Sequence, residues 1–239
     1  MFLKKRSGQI ITLLILAFIW GSSFILMKRG LEVFSHTQVA AFRMFIAYLV
    51  LLPMAFSRLK GLTKNEWLAI AVVGFIGNAF PAYFFAIAQT HISSSMAGIL
   101  NSLTPLFTLV IGILFYKSKI NILNIIGLLI GLAGAVILVV DDFSDVFTGL
   151  NAYALIIVLA TLFYGININH VKTKLSRIDG VTIAILAFFI VGPFNGIVLL
   201  FSDWAPVSVS RNFWIGFASV SVLAILGSAF AVVVINRLI

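Results

Sequence analysis

Ten residues able to hold or guide a polar ligand fall inside apolar stretches of this 239-residue chain. They are Trp20, Ser22 and Ser23; Asn78 and Tyr83, on either side of Pro81; Asn101, Thr104 and Pro105; and Tyr164 and Asn167. Helical spacing puts Asn101 and Pro105 on one face and makes Tyr164 and Asn167 neighbours one turn apart. Pro105 leaves a carbonyl without its helical donor. Polar groups in hydrocarbon cost free energy unless they are paired, so they face a cavity or another helix. As a set, these ten predict one polar path through a bundle. The alternative for each of them is hydrogen bonding between helices, which membrane bundles use throughout. Arg43 is the one charge inside an apolar stretch. It either snorkels to the outer surface or faces the cavity and holds an anionic group through its planar fork.

Asp141-Asp142-Phe143-Ser144-Asp145 is the one enzyme-like string. Carboxylates at this spacing can hold Mg²⁺ on a diphosphate, which would make the chain a membrane enzyme. A two-metal clamp wants a second such string, and the sequence has none, so an acidic linker is the alternative. His36, His91 and His170 lie in three loops and do not converge on a metal. There is no cysteine, no Ser/His/Asp grouping for nucleophilic catalysis and no Gly-Lys phosphate cradle. The expectation is therefore a chain without cofactor or metal, not driven by ATP.

The elements that position these residues follow from composition. The chain is 62% hydrophobic and only 10% charged, with a mean hydropathy of +1.18. Soluble domains carry roughly 25% charged residues, so a water-soluble enzyme and a disordered chain are both excluded. A net charge of +9 would suggest nucleic acid in a soluble protein. In so apolar a chain it marks cytoplasmic loops, and no nucleic-acid partner is expected. A spanning helix needs roughly 20 apolar residues. Eight such stretches occur, at 10–27, 38–56, 67–89, 94–116, 120–140, 151–169, 180–201 and 212–236. The expected fold is an all-α, polytopic transmembrane helix bundle. Lys28-Arg29 follow the first stretch where a signal peptide would have a cleavage site, so it reads as a retained helix.

The charges sort by side. Lys4, Lys5, Arg6, Arg58, Lys60, Lys64, Lys117, Lys119, Lys172, Lys174, Arg177 and Arg237 fall on one side with Glu66 and Asp179, a net +10. Lys28, Arg29, Arg43 and Arg211 fall on the other with Glu32, Asp141, Asp142, Asp145 and Asp203, a net −1. The positive-inside rule then puts both termini in the cytoplasm and the chain in the cell (inner) membrane. Trp67, Trp204, Trp214 and Tyr116 lie near span ends, where interfacial aromatics belong.

The two halves echo each other. Trp20-Gly21, leading to Lys28 and Leu31, matches Tyr164-Gly165, leading to Lys172 and Leu175, at an offset of 144. Gly77-Asn78-Ala79-Phe80 recurs as Gly227-Ser228-Ala229-Phe230 at an offset of 150, and Trp67 opens the third span as Trp214 opens the eighth. Span 1 maps onto span 6 and span 3 onto span 8. The repeat unit is five spans, an odd number, so the second copy is inverted, which is a transporter architecture. The units are 10–140, a first repeat, and 150–239, a partial second repeat of three helices. Gly98, Gly112, Gly127, Gly131 and Gly134 are read as packing residues, with Gly127 and Gly131 allowing close helix approach.

Trp20-Gly21-Ser22-Ser23-Phe24 with Lys28 and Gly30, followed by Ala41-Phe42-Arg43, resembles the first two helices of the drug/metabolite transporter superfamily, EamA type. The run from Ser94-Ser95-Met96-Ala97 to Leu103-Thr104-Pro105-Leu106-Phe107 is similar to that family's fourth helix. Ile126-Gly127 through Gly131 and Gly134 resembles the fifth, and Gly227 to Asn236-Arg237-Leu238-Ile239 the eighth. The resemblance implies ten helices in two inverted five-helix repeats, with both termini cytoplasmic, moving small organic molecules such as amino acids, metabolites or drugs. This chain departs from the pattern in two places. Tyr116-Lys117-Ser118-Lys119 stands where an acidic residue is common, and counterparts of helices 9 and 10 are not in the sequence. In the family, helix 9 mirrors helix 4 along the substrate path.

The expected function is thus an integral membrane permease for a small organic metabolite or drug. It acts as a secondary carrier by alternating access, with export one candidate direction. Its substrate binds at midplane between spans 1, 3, 4, 6 and 8, with Asn78, Asn101, Tyr83 and Tyr164 as contacts. With no Asp or Glu inside a span to carry a proton, uniport or exchange is favoured. The competing expectations are the Asp141/Asp142/Asp145 enzyme and a truncated, non-transporting fragment. In the fragment, span 8 and the inner faces of spans 6 and 7 lack neighbours, and a homodimer fills the gap.

Overall fold

A computed structural model of the protein describes residues 6–117, 121–139, 152–205 and 207–235. The Asp141–Asp145 string, the junction between the two halves and the charges at Lys4, Lys5, Lys119 and Arg237 lie outside the described residues. The described residues form eight helices in chain order: α1 (Arg6–Leu31), α2 (His36–Ala55), α3 (Lys64–Ala88), α4 (Ser94–Tyr116), α5 (Ile122–Val139), α6 (Ala152–Lys174), α7 (Gly180–Leu200) and α8 (Arg211–Ile235). Seven of them are long and apolar enough to cross a membrane, and α5 adds a shorter apolar stretch, Ile122–Gly134.

Polar residues at the helix ends set the boundaries. Ser35 and Gln38 form a reciprocal cap at the start of α2: Ser35 Oγ accepts the Gln38 N–H (3.2 Å) and Gln38 Oε1 accepts the Ser35 N–H (2.9 Å). Thr63 and Glu66 do the same for α3. Ser93 caps α4, and Asp179 accepts the Thr182 N–H at 3.0 Å to open α7. Each cap satisfies backbone donors that a helix leaves unpaired at its first turn.

Between these ends the outward surface is apolar. Phe18, Leu14, Leu114, Phe115, Leu123 and Ile130 are all at least two-thirds exposed. Water would not tolerate so continuous an apolar coat; lipid does, provided that the backbone is satisfied within the helices. The protein is an integral membrane protein.

The core is built on α2 and α7, the most extensively packed pair of helices among the described residues. A Cβ on Gly192 of α7 would collide with the ring of Tyr48 on α2, and one on Gly196 would meet Phe45. The rings of Tyr48 and Phe189 lie 6.3 Å apart. Tyr48 and Gly192 are 144 positions apart, as are Phe45 and Phe189, and the caps Ser35 and Asp179. Of these pairs, Tyr48 and Gly192 face each other directly.

Two packing expectations are corrected. Helix α7 is not short of neighbours: 56% of its apolar window is buried, the largest share of the seven. Its Gly192 and Gly196 admit the α2 rings, and its Ala187 and Val191 close on Gly74 of α3. The Gly127/Gly131 pair on α5 does not bring a helix close either: among the described residues, a Cβ at either position would meet nothing within 4 Å. The close approaches occur instead at Gly165, against the Phe107–Thr108 backbone of α4, and at Gly77, against Asn167 of α6.

Candidate functional site

Three of the spans are irregular where they approach the centre. In α3, residues Phe75–Ala79 are π-helical, and in α8, residues Leu223–Phe230 are. A π turn inserts a residue into the hydrogen-bond ladder and frees backbone groups, a feature common at functional sites. The two segments contain Gly77-Asn78-Ala79 and Gly227-Ser228-Ala229, the pair that recurs in the sequence. In α4, the helix breaks between Asn101 and Thr104. Pro105 has no N–H to offer the Asn101 carbonyl, as its chemistry requires.

These irregular segments border one cavity of about 500 Å³. Helix α1 contributes Trp20, Ser23, Phe24 and Met27, and α2 contributes Arg43 and Met44. From α3 come Gly77, Asn78 and Phe85; from α4, Asn101, Ser102, Thr104 and Pro105. Helix α6 adds Tyr164, Asn167 and Ile168, and α8 adds Gly227, Ser228 and Val232. Eight of the ten polar-path candidates, and Arg43, therefore share one space. Ser22 and Tyr83 do not line it. The Ser22 hydroxyl donates to Ile19 O of its own helix (3.0 Å). Tyr83 Oη donates to Asn195 Oδ1 on α7 (2.8 Å), tying α3 to α7.

The cavity's polar groups are partly satisfied. The Trp20 indole N–H donates to the Gly227 carbonyl (3.1 Å), joining α1 to the π segment of α8. Asn78 Nδ2 donates to the Val73 carbonyl five residues back (3.0 Å). Ser23 Oγ donates to Ile19 O at 2.8 Å. Arg43 Nε donates to Ser228 Oγ, also at 2.8 Å. Thr104 Oγ1 and Asn167 Oδ1 are buried without a hydrogen-bond partner. Such orphans are uncommon in a finished core and indicate a place that water or a ligand completes.

Contacts across the cavity repeat with the sequence. Ser23 of α1 lies against Gly227 of α8, and Asn167 of α6 lies against Gly77 of α3. Ser23 and Asn167 are 144 positions apart; Gly77 and Gly227 are 150 apart. Trp20 corresponds to Tyr164, but only Trp20 makes a hydrogen bond to the facing glycine among the described residues. Arg43 has no such twin: the equivalent residue is Ala187, so the cavity is charged on one side only.

The sequence did not single out Ser228, Ser102 or the apolar lining of Phe24, Met27, Met44 and Phe85. Ser228 had a signal in the recurring Gly-Asn/Ser-Ala-Phe string; the apolar residues had none that separates them from lipid-facing neighbours. Arg43, open in the sequence between snorkelling and facing inward, faces inward. No group of three metal-ligating side chains occurs among the described residues.

Comparison with known proteins places this architecture. One solved crystal structure covers 97% of this chain and 79% of its own, with a TM-score of 0.67 at 14% sequence identity, a likeness of fold. An uncharacterized transporter of Bacillus subtilis, YdfC, is 26% identical over 174 residues, covering 71% of this chain and 57% of the relative. An uncharacterized transporter of Haemophilus influenzae is 32% identical over 149 residues, covering 61% and 48%. The uncharacterized inner membrane transporter YhbE of Escherichia coli is 26% identical over 160 residues, covering 63% and 49%. The chain spans about half the length of the curated relatives it matches. The EamA-like transporter family model matches residues 8–140, more than half of the chain. This chain, a polytopic bundle of apolar helices around a central cavity, belongs to the EamA-like transporter family.

Proposed function

We propose that the protein is a permease, not an enzyme, moving a small organic molecule across the cell (inner) membrane by alternating access. The carrying observation is the cavity itself: about 500 Å³ at the meeting of six helices, with two orphaned polar atoms and one charge. Ligand pockets of roughly 300–1,000 Å³ with a few convergent polar groups bind metabolite-sized molecules. Charge asymmetry of the loops supports cytoplasmic termini.

The paired contacts suggest how access alternates. Helices α1 and α8 meet at Ser23, Trp20 and Gly227; α6 and α3 meet at Asn167 and Gly77. In an inverted repeat these two closures are equivalent and serve opposite faces, so opening one while closing the other exposes the same site to each side in turn. Units 10–140 and 150–239 are the two bodies that rock. No Asp or Glu lines the cavity among the described residues, which supports uniport or exchange over proton coupling.

Flux from proteoliposomes holding the full chain, with a panel of amino acids, organic acids, sugars and cationic drugs, tests the proposal. Saturable flux of at least one class is expected, and its loss on substituting Asn78 or Asn101. Absence of flux across the whole panel overturns it. A homodimer that covers the thinly packed α4, where only 17% of the apolar window is buried, is tested by cross-linking in the membrane.

A further inference from the structure

We infer that the molecule this cavity takes is a monocarboxylate with an apolar or aromatic body, its carboxylate seated on Arg43. The inference rests on the permease reading and specifies its substrate class.

Arg43 is the only charged residue among those lining the cavity. Its Nε is used by Ser228, and no hydrogen bond from its two terminal nitrogens is present among the described residues. Neither does it have a carboxylate partner: the one ion pair among the described residues is Arg29–Glu32, out at the surface. A half-buried guanidinium in a mostly apolar lining and without an anion is incompletely compensated, and free energy is gained when an anion with matching geometry arrives. The guanidinium edge left open after Nε is engaged presents parallel N–H groups, which suit the two oxygens of a carboxylate.

The rest of the lining selects among anions. A phosphate monoester carries close to two charges at neutral pH and would want a second cation. None lines the cavity, since the position equivalent to Arg43 is Ala187, whose side chain is buried in α7. A cationic drug would meet an unpaired like charge and no carboxylate. In the same lining, Phe24, Met27, Met44 and Phe85 offer apolar surface. The orphaned Thr104 Oγ1 can donate or accept, and Asn167 Oδ1 can accept, a further hydrogen bond, as a hydroxyl or amino substituent on the body would provide.

The test uses the full chain in lipid nanodiscs and pairs of near-isosteric probes: aliphatic, branched and aromatic carboxylic acids, each against its primary amide. Binding is read by calorimetry and by the shift in thermal unfolding. In the wild-type chain at least one acid should bind about tenfold or more tighter than its amide, the size expected for a charge-assisted bidentate contact. Arg43→Gln should bring that ratio to about one, and Arg43→Lys should fall between. If every acid binds no better than its amide in the wild-type chain, the inference is overturned, whether or not Arg43→Gln folds. Proteoliposome flux separates the two levels. Acid-selective binding without flux keeps the carboxylate site and overturns the permease. Flux of neutral or cationic compounds without acid preference keeps the permease and overturns the carboxylate site.

Discussion

Trp20 donates its indole N–H to the carbonyl of Gly227, 3.1 Å away and 207 residues along the chain. The acceptor belongs to a π-helical stretch, where the normal helical ladder no longer claims every carbonyl. The bond therefore couples the position of α1 to an irregular and adjustable part of α8. Trp20→Phe keeps the ring's bulk and removes the donor. Hydrogen bonds between helices within membranes average about 0.6 kcal/mol. If the proposed alternating-access cycle uses this contact as one of its closures, the expected result is a small loss of thermal stability in detergent together with a larger change in flux. Equal, small losses in both would show that it only packs.

The glycines separate into two kinds, and alanine scanning should divide them. Gly77→Ala places a methyl where the Asn167 amide sits, and Gly165→Ala drives one into the Phe107–Thr108 backbone. The backbone cannot yield, so Gly165→Ala should lose about 1–3 kcal/mol, as overpacking does. Asn167 can swing, so Gly77→Ala should cost less stability and more transport. Gly127→Ala and Gly131→Ala meet open space; they should be neutral or stabilise the helix by up to about 1 kcal/mol, the difference in helix propensity. Thermal unfolding of the four variants in one detergent checks the order.

Tyr83 and Tyr164 looked alike in the sequence, each an aromatic hydroxyl among apolar neighbours. The structure gives them different tasks. Tyr83 Oη donates to Asn195 Oδ1 between α3 and α7, while Tyr164 lines the cavity. Tyr83→Phe should lower unfolding stability by roughly the 0.6 kcal/mol of an interhelical bond and leave KM for transport unchanged. Tyr164→Phe should move KM more than stability. A KM shift for Tyr83→Phe would return it to the path.

The cap at the start of α7 makes one pH-dependent contribution. Partial burial pushes the Asp179 carboxyl up, but hydrogen bonds from Thr182, helped by the Arg58 charge, outweigh it, so the group sits below its ordinary value. A carboxyl whose folded pKa lies below its unfolded value of about 3.9 stabilises the fold above that value. The contribution is lost as pH falls through it towards the lowered folded value. Asp179→Asn keeps a cap oxygen and should flatten the acid limb of stability below about pH 4. Asp179→Ala should cost about 1 kcal/mol at neutral pH through loss of the cap. Unfolding measured from pH 3 to 7 checks both.

How much of this was legible in residues alone depends on which physical signal each feature carries. Span number and order follow from apolar run length. The break at Asn101–Thr104 follows from Pro105, because a missing N–H is a property of one residue. The direction of Arg43 does not follow: α2 is apolar on every face, so helical periodicity cannot tell the lipid side from the cavity side. The π segments were visible only indirectly, as a short string recurring at 150 instead of 144. A change of hydrogen-bond register has no residue type of its own. The packing of α7 was misjudged because a count of helices does not reveal which helix is central. That followed only from Tyr48 fitting over Gly192.

Lys28 follows the first apolar stretch, a place where a basic side chain would ordinarily meet lipid headgroups. Its ammonium instead donates to the Gln89 carbonyl (2.6 Å) and reaches the Ile92 carbonyl (3.4 Å), at the turn that joins α3 to α4. Gln89 is fully buried, its amide directed at Met27 Sδ and its Oε1 reached by Ser94 Oγ at 3.5 Å. Ser94 Oγ also lies 3.1 Å from the Phe24 carbonyl of α1. Lys28 thus closes a knot of α1, α3 and α4 at one end of the cavity. Lys28→Met keeps the stem and removes the donor, leaving carbonyls at the end of α3 unpaired beside a buried glutamine. The expected loss is about 1–3 kcal/mol, the cost of a buried acceptor without a partner. Lys28→Arg should restore part of it, since a guanidinium can reach the same two carbonyls. A headgroup role would give a different pattern: Lys28→Met would be neutral in uncharged detergent and deleterious only in anionic lipid. Unfolding measured in both media decides between the two.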